Sequence, residues 1–366
     1  DPAQRRDLGE YYTPDWLAAK LVRAVVTEPL TMTVLDPACG SGTFLFHALR
    51  RFLAAARAAG WADARTLREA AARVRGVDVH PVAVIIARVT WLLALGEAIR
   101  EREGSLHVPV YLGDSLQWNI SRLGDVDEVM VPVPGEGPLY VPAGVAQDQA
   151  TFDPALHELT EGLETDAPVE QVAGALDRIP GIEARDATTL AETYGRLKAL
   201  KDSGRLGIWP FVLRNLVRPI WLSQPGRRAD VVIGNPPWVA YRFLSAEMKG
   251  RLRDACERMN LWVGRNLATQ QDVSALFFAR SVERYLREGG TIAFVLPYAA
   301  LNAPTFAGLR AGDFRSAAAH VVAAWNLAEV RPLFPTSACV VVARRERGGP
   351  LPAAVERWAG TLVRRD

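Results

Sequence analysis

The chain has 366 residues, 49% of them hydrophobic and 23% charged, enough to bury a sizeable core and too apolar for a disordered or collagen-like polymer. Its net charge of +2 is unevenly spread: residues 122–200 hold 15 acidic and 5 basic residues, a net −10, while the other 38 basic and 26 acidic residues carry +12. No uninterrupted apolar run reaches the roughly 20 residues of a bilayer span, no signal-like stretch follows Asp1, and Cys39, Cys256 and Cys339 lack any C-x-x-C pairing. A cytoplasmic protein without disulfide, metal site or membrane partner is expected.

Short apolar strands alternate with longer helical patterns, which favours a doubly wound, mostly parallel α/β sheet with helices on both faces. Thr33–Asp36 reads as the first strand, followed by a glycine turn and a helix through about Ala59. Val74–Val79 reads as the second, with Pro81 opening a helix, where its missing N–H costs nothing. Val108–Leu112 reads as the third. The acidic stretch then interrupts the alternation; with its Pro- and Gly-rich run around Val131–Gly144 it is expected to be an insertion, part loop and part helix. An apolar helix over Phe211–Leu222 leads into a fourth strand, Asp230–Ile233. A helix from about Ser274 to Leu286 and the turn Gly289-Gly290 precede a fifth, Thr291–Leu296. Val321–Leu327 and Cys339–Ala343 complete the set, joined by the turn Arg331–Pro335.

Chemistry is concentrated at the strand ends. Asp36-Pro37-Ala38-Cys39-Gly40-Ser41-Gly42 turns from strand to helix on two glycines, which let a ligand approach the backbone. The third glycine of the dinucleotide pattern is missing. An acid at Asp36 would repel a pyrophosphate but suits a ligand bearing an ammonium or sulfonium. Asp78 closes the second strand, where ribose hydroxyls are usually gripped, and Asp114 follows the third, within reach of an adenine amino group. Singly, each is equally an ordinary strand-end Asp; three in register on consecutive strands point to one ligand. Directly after the fourth strand comes Asn235-Pro236-Pro237-Trp238. Two prolines stiffen the backbone, so that the Asn side-chain oxygen and the Pro236 carbonyl can both face one exocyclic NH₂, with Trp238 offering a flat face to a base. Lys249, Arg251, Arg253 and Arg265 follow; they read either as phosphate contacts or as a solvated helix face, because Glu247, Asp254 and Glu257 are interspersed. His47, His80 and His107 are read without a catalytic role.

Together these segments resemble the S-adenosylmethionine-dependent N6-adenine DNA methyltransferases of the gamma class, whose cofactor half precedes the catalytic half. The resemblance covers almost the whole chain except the acidic insertion. It is most specific at Gly9-Glu10-Tyr11-Tyr12-Thr13-Pro14, at Asp36–Gly42 and at Asn235–Trp238; Asp272 with the helix after it, Gly290–Pro297 and Phe334-Pro335 match later segments. It implies a Rossmann-like fold, with a cofactor lid at 1–32, a cofactor half at 33–121, the insertion at 122–205 and a catalytic half at 206–366. It implies S-adenosylmethionine, with S-adenosylhomocysteine as product, held by Tyr11, Tyr12, Thr13, Asp36, Ala38, Gly40, Gly42, Asp78, Asp114 and Asn235. Asn235, Pro236, Pro237, Trp238 and Phe334 would receive a flipped-out adenine, and no metal would be needed. Trp238 stands where many relatives have Tyr or Phe.

The nearest analogies are methylases of type I and type IIG restriction systems and of BREX or DISARM phage defence, which places the chain in a prokaryotic cytoplasm with double-stranded DNA as partner. The chain stops soon after its last strand, so a separate target-recognition domain or subunit is expected, and a chain opening on Asp is either processed or part of a longer one. The same Asn-Pro-Pro-aromatic corner also serves methylation of a protein glutamine amide, and an RNA adenine would fit the same pocket. The non-enzymatic alternative is an idle DNA-binding subunit that kept the fold.

Overall fold

The computed structural model divides into two compact units, residues 1–110 with 228–366, and residues 111–227. Described are residues 13–361 except 103, 105, 117–119, 124–125, 132, 134–136, 206–212, 214–217, 332, 350 and 353. In chain order the strands are β1 (Val34–Asp36), β2 (Val74–Asp78), β3 (Val110–Leu112), β4 (Ile120–Leu123), β5 (Val126–Val131), β6 (Leu139–Pro142), β7 (Ala229–Gly234), β8 (Leu286–Pro297), β9 (His320–Arg331), β10 (Ala338–Arg344) and β11 (Glu356–Thr361).

Among the described residues, eight strands form one sheet in the order β11–β9–β10–β8–β7–β1–β2–β3. β1 runs parallel to β2 and β7, β7 to β8, and β11 to β9, while β10 is antiparallel to both neighbours. This is the mixed, mostly parallel sheet expected from the alternation of strands and helices. Its central strands are short and almost wholly apolar because both faces are covered by helices: Val34 and Leu35 of β1 and Val231–Ile233 of β7 are buried. β1 is flanked by β2 on one side and β7 on the other, so the crevice beyond their carboxyl ends is the topological switch point where such sheets bind ligands.

The helices of this unit pack on the sheet and on one another. α1 (Asp15–Val25) buries Leu17, Ala18, Leu21, Val22 and Val25 on one face. It is tied to α2 (Thr43–Ala58) by His47 Nε2 and Asp15 Oδ1, 2.7 Å apart, and by Arg51 Nε donating to Val26 O. α3 (Asp63–Arg73) leads into β2. α4 (Pro81–Leu95) starts at Pro81 as its ring favours, and sets Val84, Ala87, Trp91, Ala94 and Leu95 inward, with the Trp91 indole N–H on Val74 O. Its outward face is apolar as well, with Val82, Ile85, Ile86, Val89 and Leu93 exposed. Pro81–Glu101, α4 continued by a 3₁₀ turn, is long and apolar enough by length and composition to cross a membrane, contrary to the expectation from apolar run length. Arg88, Glu97 and Arg100 break the run in sequence without ending the helical segment.

The 111–227 unit has a core of its own. β4, β5 and β6 form an antiparallel three-stranded sheet. The helices are α5 (Ala143–Gln147), α6 (Gln149–Thr165), α7 (Val169–Leu176), α8 (Ala184–Asp202) and α9 (Arg218–Leu222). Val129, Val131, Leu139 and Val141 of the sheet bury against Leu156, Leu159 and Leu163 of α6 and Leu190, Tyr194 and Leu197 of α8. Tyr194 is fully buried and donates its hydroxyl to Ala167 O at 2.7 Å. The sheet corrects the reading of this stretch as loop and helix. Asp127 and Glu128 break the apolar pattern of β5, and Pro and Gly surround β6. The first part of the helix expected over Phe211–Leu222 lies outside the described residues.

Past the insertion, α10 (Ala246–Arg258) is capped by Ser245, whose side chain accepts from Met248 N. α11 (Val273–Arg284) is capped by Asp272. The expected turn at Gly289-Gly290 lies inside β8, because Gly289 N–H donates to Arg345 O and Arg345 N–H to Gly290 O, and the strand therefore begins at Leu286. β11 is a polar, exposed edge strand that apolar patterning does not reveal.

Candidate active site

β1 ends on Asp36 and the chain turns through Pro37–Gly42 into α2. Gly40 and Gly42 sit at φ +51° and +87°, left-handed values that cost a side-chain-bearing residue energy. At Gly42 a Cβ would also come within 3.2 Å of Ala87 Cα on α4, so glycine there lets the two helices close on the turn. Cys39 N–H donates to Val77 O of β2 and Gly40 N–H to Asp78 Oδ2 at 2.8 Å; Asp78 Oδ1 accepts from His80 N–H. Asp78 therefore clamps the turn to β2, a structural role beside the ribose contact expected of it.

Asp36 is 1% exposed. Its Oδ1 accepts from Ala38 N–H at 3.1 Å, and its Oδ2 is buried with no hydrogen-bond partner among the described residues. Burial pushes its carboxyl well above the usual carboxylate range, the Ala38 N–H pulls the other way, and the Asp78 charge adds to the rise. Burial, then the charges of Asp36 and Asp78, also raise the Cys39 thiol, so a thiolate nucleophile is disfavoured there.

The fourth-strand corner arrives beside this acid. A Cβ on Gly234, the last residue of β7, would stand 2.6 Å from Asp36 Oδ1, so only glycine lets β7 run so close. The next residue, Asn235, donates from Nδ2 to Thr13 Oγ1 at 3.2 Å across 222 positions of sequence. Pro236 is buried and Pro237 half-buried. Trp238 is 6% exposed, its indole N–H on Val295 O of β8, and its ring meets Phe334 edge-to-face with centroids 5.1 Å apart. The fold thus brings Thr13, Asp36, Asp78, the glycine turn and Asn235 to one crevice, and Trp238 to Phe334.

Asp114, in the 111–227 unit, accepts from Leu116 N–H through Oδ1. Tyr11 and Tyr12 lie outside the described residues, as does the Arg265 side chain. Arg251 and Arg253 pair with Glu247 and Glu257 at 2.8 and 2.9 Å along α10, which favours the solvated-face reading for both. Among the described residues no group of three or more His, Cys, Asp and Glu is placed to hold a metal ion. A cleft of about 590 Å³ lies between α1 and α2, lined in part by Arg23, His47, Arg50 and Arg51, and shares none of the corner's residues.

Two supporting glycines are absent from the sequence reading. Gly234 is one; Gly76, inside β2, is the other, where a Cβ would stand 2.6 Å from Leu45 Cδ1 and 3.1 Å from Cys39 Sγ. A glycine inside a strand is itself the sign of such an approach. Gly76→Ala is expected to lower stability by about 1–3 kcal/mol through overpacking against Leu45 and Cys39, read as a lower Tm.

A family model of the Eco57I restriction-modification methylases matches residues 72–318, two thirds of the chain and both sides of the corner. The chain belongs to the Eco57I restriction-modification methylase family. The N-6 DNA methylase model matches residues 2–134, a span that includes the glycine turn of this Eco57I-type methylase. No curated protein matches it. Among solved structures it resembles the nuclease-deletion mutant of the type ISP restriction-modification enzyme LlaGI in complex with a DNA substrate mimic, at 15% identity and TM-score 0.52 over 93% of this chain and 23% of that one. It also resembles the ATP-dependent type ISP restriction-modification enzyme LlaBIII bound to DNA, at 12% identity and TM-score 0.54 over 95% and 20%. At those identities the likeness is one of fold, and this methylase spans between a fifth and a quarter of each protein's length.

Proposed function

We propose that this chain methylates N6 of an adenine turned out of double-stranded DNA, using S-adenosylmethionine, as the catalytic part of a prokaryotic cytoplasmic restriction-modification or phage-defence methylase. Site recognition would come from a target-recognition domain or subunit. What carries the reading is the convergence of Asp36, the glycine turn and Asn235 on one crevice of a methylase fold.

The residues fit the cofactor. Asp36 Oδ2 is a buried acceptor without a partner among the described residues, the environment in which a ligand cation is worth most. Gly40 and Gly42 keep side chains off the turn, and Thr13 Oγ1 accepts from the Asn235 amide beside it. Bound S-adenosylmethionine supplies an electrophilic methyl on a cationic sulfur.

The chain's own part is to make a poor nucleophile react. The N6 lone pair of adenine is delocalised into the ring. Nδ2 of Asn235 is directed to Thr13, leaving Oδ1 as the end of the amide that turns away from it. Asn235 Oδ1 and the Pro236 carbonyl accept the two N6 hydrogens, which draws the nitrogen toward tetrahedral geometry and points its lone pair at the methyl. Alignment and fixed dipoles provide the rate rather than a strong base. Trp238 and Phe334 stack on the extruded ring, worth about 1–3 kcal/mol per base. Their rings now touch edge-to-face, whereas a base between two parallel rings needs about 7 Å between planes, twice a van der Waals contact. Trp238 lies past the end of β7 and Phe334 is half-buried in the connection between β9 and β10, so a base enters between them only if one ring turns from its present edge-to-face packing.

Incubation with methyl-labelled cofactor and DNA, RNA or a glutamine-bearing protein tests the reading. Label recovered as N6-methyldeoxyadenosine supports it; label in RNA or glutamine replaces it with one of the other substrates.

A further inference from the structure

Among the described residues Phe243 is the one aromatic ring in the set of exposed large hydrophobics, 54% exposed, five residues beyond the buried Trp238. A single exposed apolar side chain is ordinary; its mounting here is not. Phe243 ends a 3₁₀ turn, Tyr241–Phe243, held at both ends: Tyr241 N–H donates to Gln271 O at 2.7 Å, Phe243 N–H to Ala240 O at 2.9 Å and Leu244 N–H to Tyr241 O at 3.1 Å. Ala240 in turn bridges Asp272, the cap of α11. The ring therefore stands out from a stiff base anchored on the core.

Its neighbours are aromatic and cationic. The Arg242 guanidinium lies 4.7 Å from the Phe243 ring centroid, and Lys249 Nζ lies 5.8 Å from the Tyr241 ring, which itself sits 5.8 Å from Trp262. Apolar rings edged with positive charge suit nucleic acid, with stacked bases inside and phosphates outside. Five residues span at most about 18 Å, so the exposed ring stands within that reach of Trp238 at the catalytic corner.

Extrusion of one base leaves a gap in the stack, and proteins that distort DNA fill such gaps with apolar wedges. We infer that Phe243 is the wedge that enters the duplex where the target adenine has left, with Arg242 against a flanking phosphate. It is a positioning residue: it touches the DNA but not the reacting atoms, and it acts by holding the gap open while the base is in the pocket. This inference rests on the base-extruding reading of the site.

The test compares Phe243→Ala and Phe243→Trp in the full protein, on duplexes carrying its methylation site as mapped from the methylated product. In one duplex the target adenine is paired; in the other it faces an abasic position, which removes the pairing and opens the gap in advance. Phe243→Ala is expected to lower kcat/KM about 10- to 100-fold on the paired duplex, the scale of one lost stack, with recovery to within about threefold on the abasic one. Phe243→Trp is expected to keep activity on both, and cofactor affinity and Tm are expected to stay unchanged in each variant. Unimpaired Phe243→Ala activity on the paired duplex, or an equal loss on both duplexes, overturns the wedge. Wild-type protein that places no methyl on any DNA overturns the underlying reading instead.

Discussion

Asn235→Ala is expected to slow methyl transfer by orders of magnitude while leaving the protein folded and still able to bind the proposed cofactor. The side chain is half-buried at the end of β7, its Nδ2 on Thr13 Oγ1 and its Oδ1 turned away. Truncation to Ala removes one of the two acceptors that draw the N6 lone pair out of the ring, an interaction that strengthens in the transition state. Loss of one such preorganised group costs about 10²–10³-fold in kcat. The loss should appear in kcat more than in KM, because the uniform contacts from Trp238, Phe334 and the DNA backbone persist. Thr13→Val separates orientation from acceptance: it removes the partner of Nδ2 but keeps Oδ1, and should lose less than Asn235→Ala. Single-turnover transfer from labelled cofactor, with calorimetry of cofactor binding alongside, distinguishes the outcomes. An Asn235→Ala variant that still transfers methyl at a wild-type rate would show that alignment of the amine is not what the corner does.

How much of this was legible in the sequence depends on what each element is made of. The glycine turn, the strand-end acids and the diproline corner are punctuation: residues whose backbone limits or charge state a meaning at a single position. They stand out because each follows a short, largely apolar strand. The β4–β6 sheet was hidden because Asp127, Glu128 and the surrounding prolines and glycines dilute its apolar pattern, and β11 because an exposed edge strand has little pattern to show. The pairing of Thr13 with Asn235 is a property of the fold, joining residues 222 positions apart, and no spacing rule reaches it. Arg251 and Arg253 show the converse. Their acidic partners at i−4 and i+4 are visible in the sequence, and pairing along α10 was the simpler reading.

Asp36→Asn should make the empty protein more stable and nearly unable to bind its cofactor. Its buried carboxyl titrates well above the ordinary range, chiefly through desolvation. The folded state then binds more protons than the unfolded one once pH rises past the ordinary carboxylate value near 3.9. Stability therefore falls as pH climbs through the interval between that value and the raised one, and above it the full cost of a buried negative charge is borne. An Asn at 36 keeps an oxygen for the Ala38 N–H and never ionises, so its Tm should exceed that of the wild type by a margin that grows with pH from about 4 upward and then levels off; each kcal/mol is worth about 2–4 °C in a large domain. The cofactor's positive charge has the opposite preference. If it pairs with the ionised Asp36 as proposed, wild-type affinity should rise across the same interval with release of a proton, whereas removal of one member of a buried charge pair should cost the variant about 10²-fold or more in affinity and leave it flat with pH. Thermal melts and titration calorimetry at several pH values measure both halves. A Tm difference that ignores pH, or an unchanged affinity in the variant, would mean that Asp36 is an internal strut of the turn rather than the cation's partner. Gain in one property with loss in the other, from the same oxygen, is the signature of a group kept strained for binding.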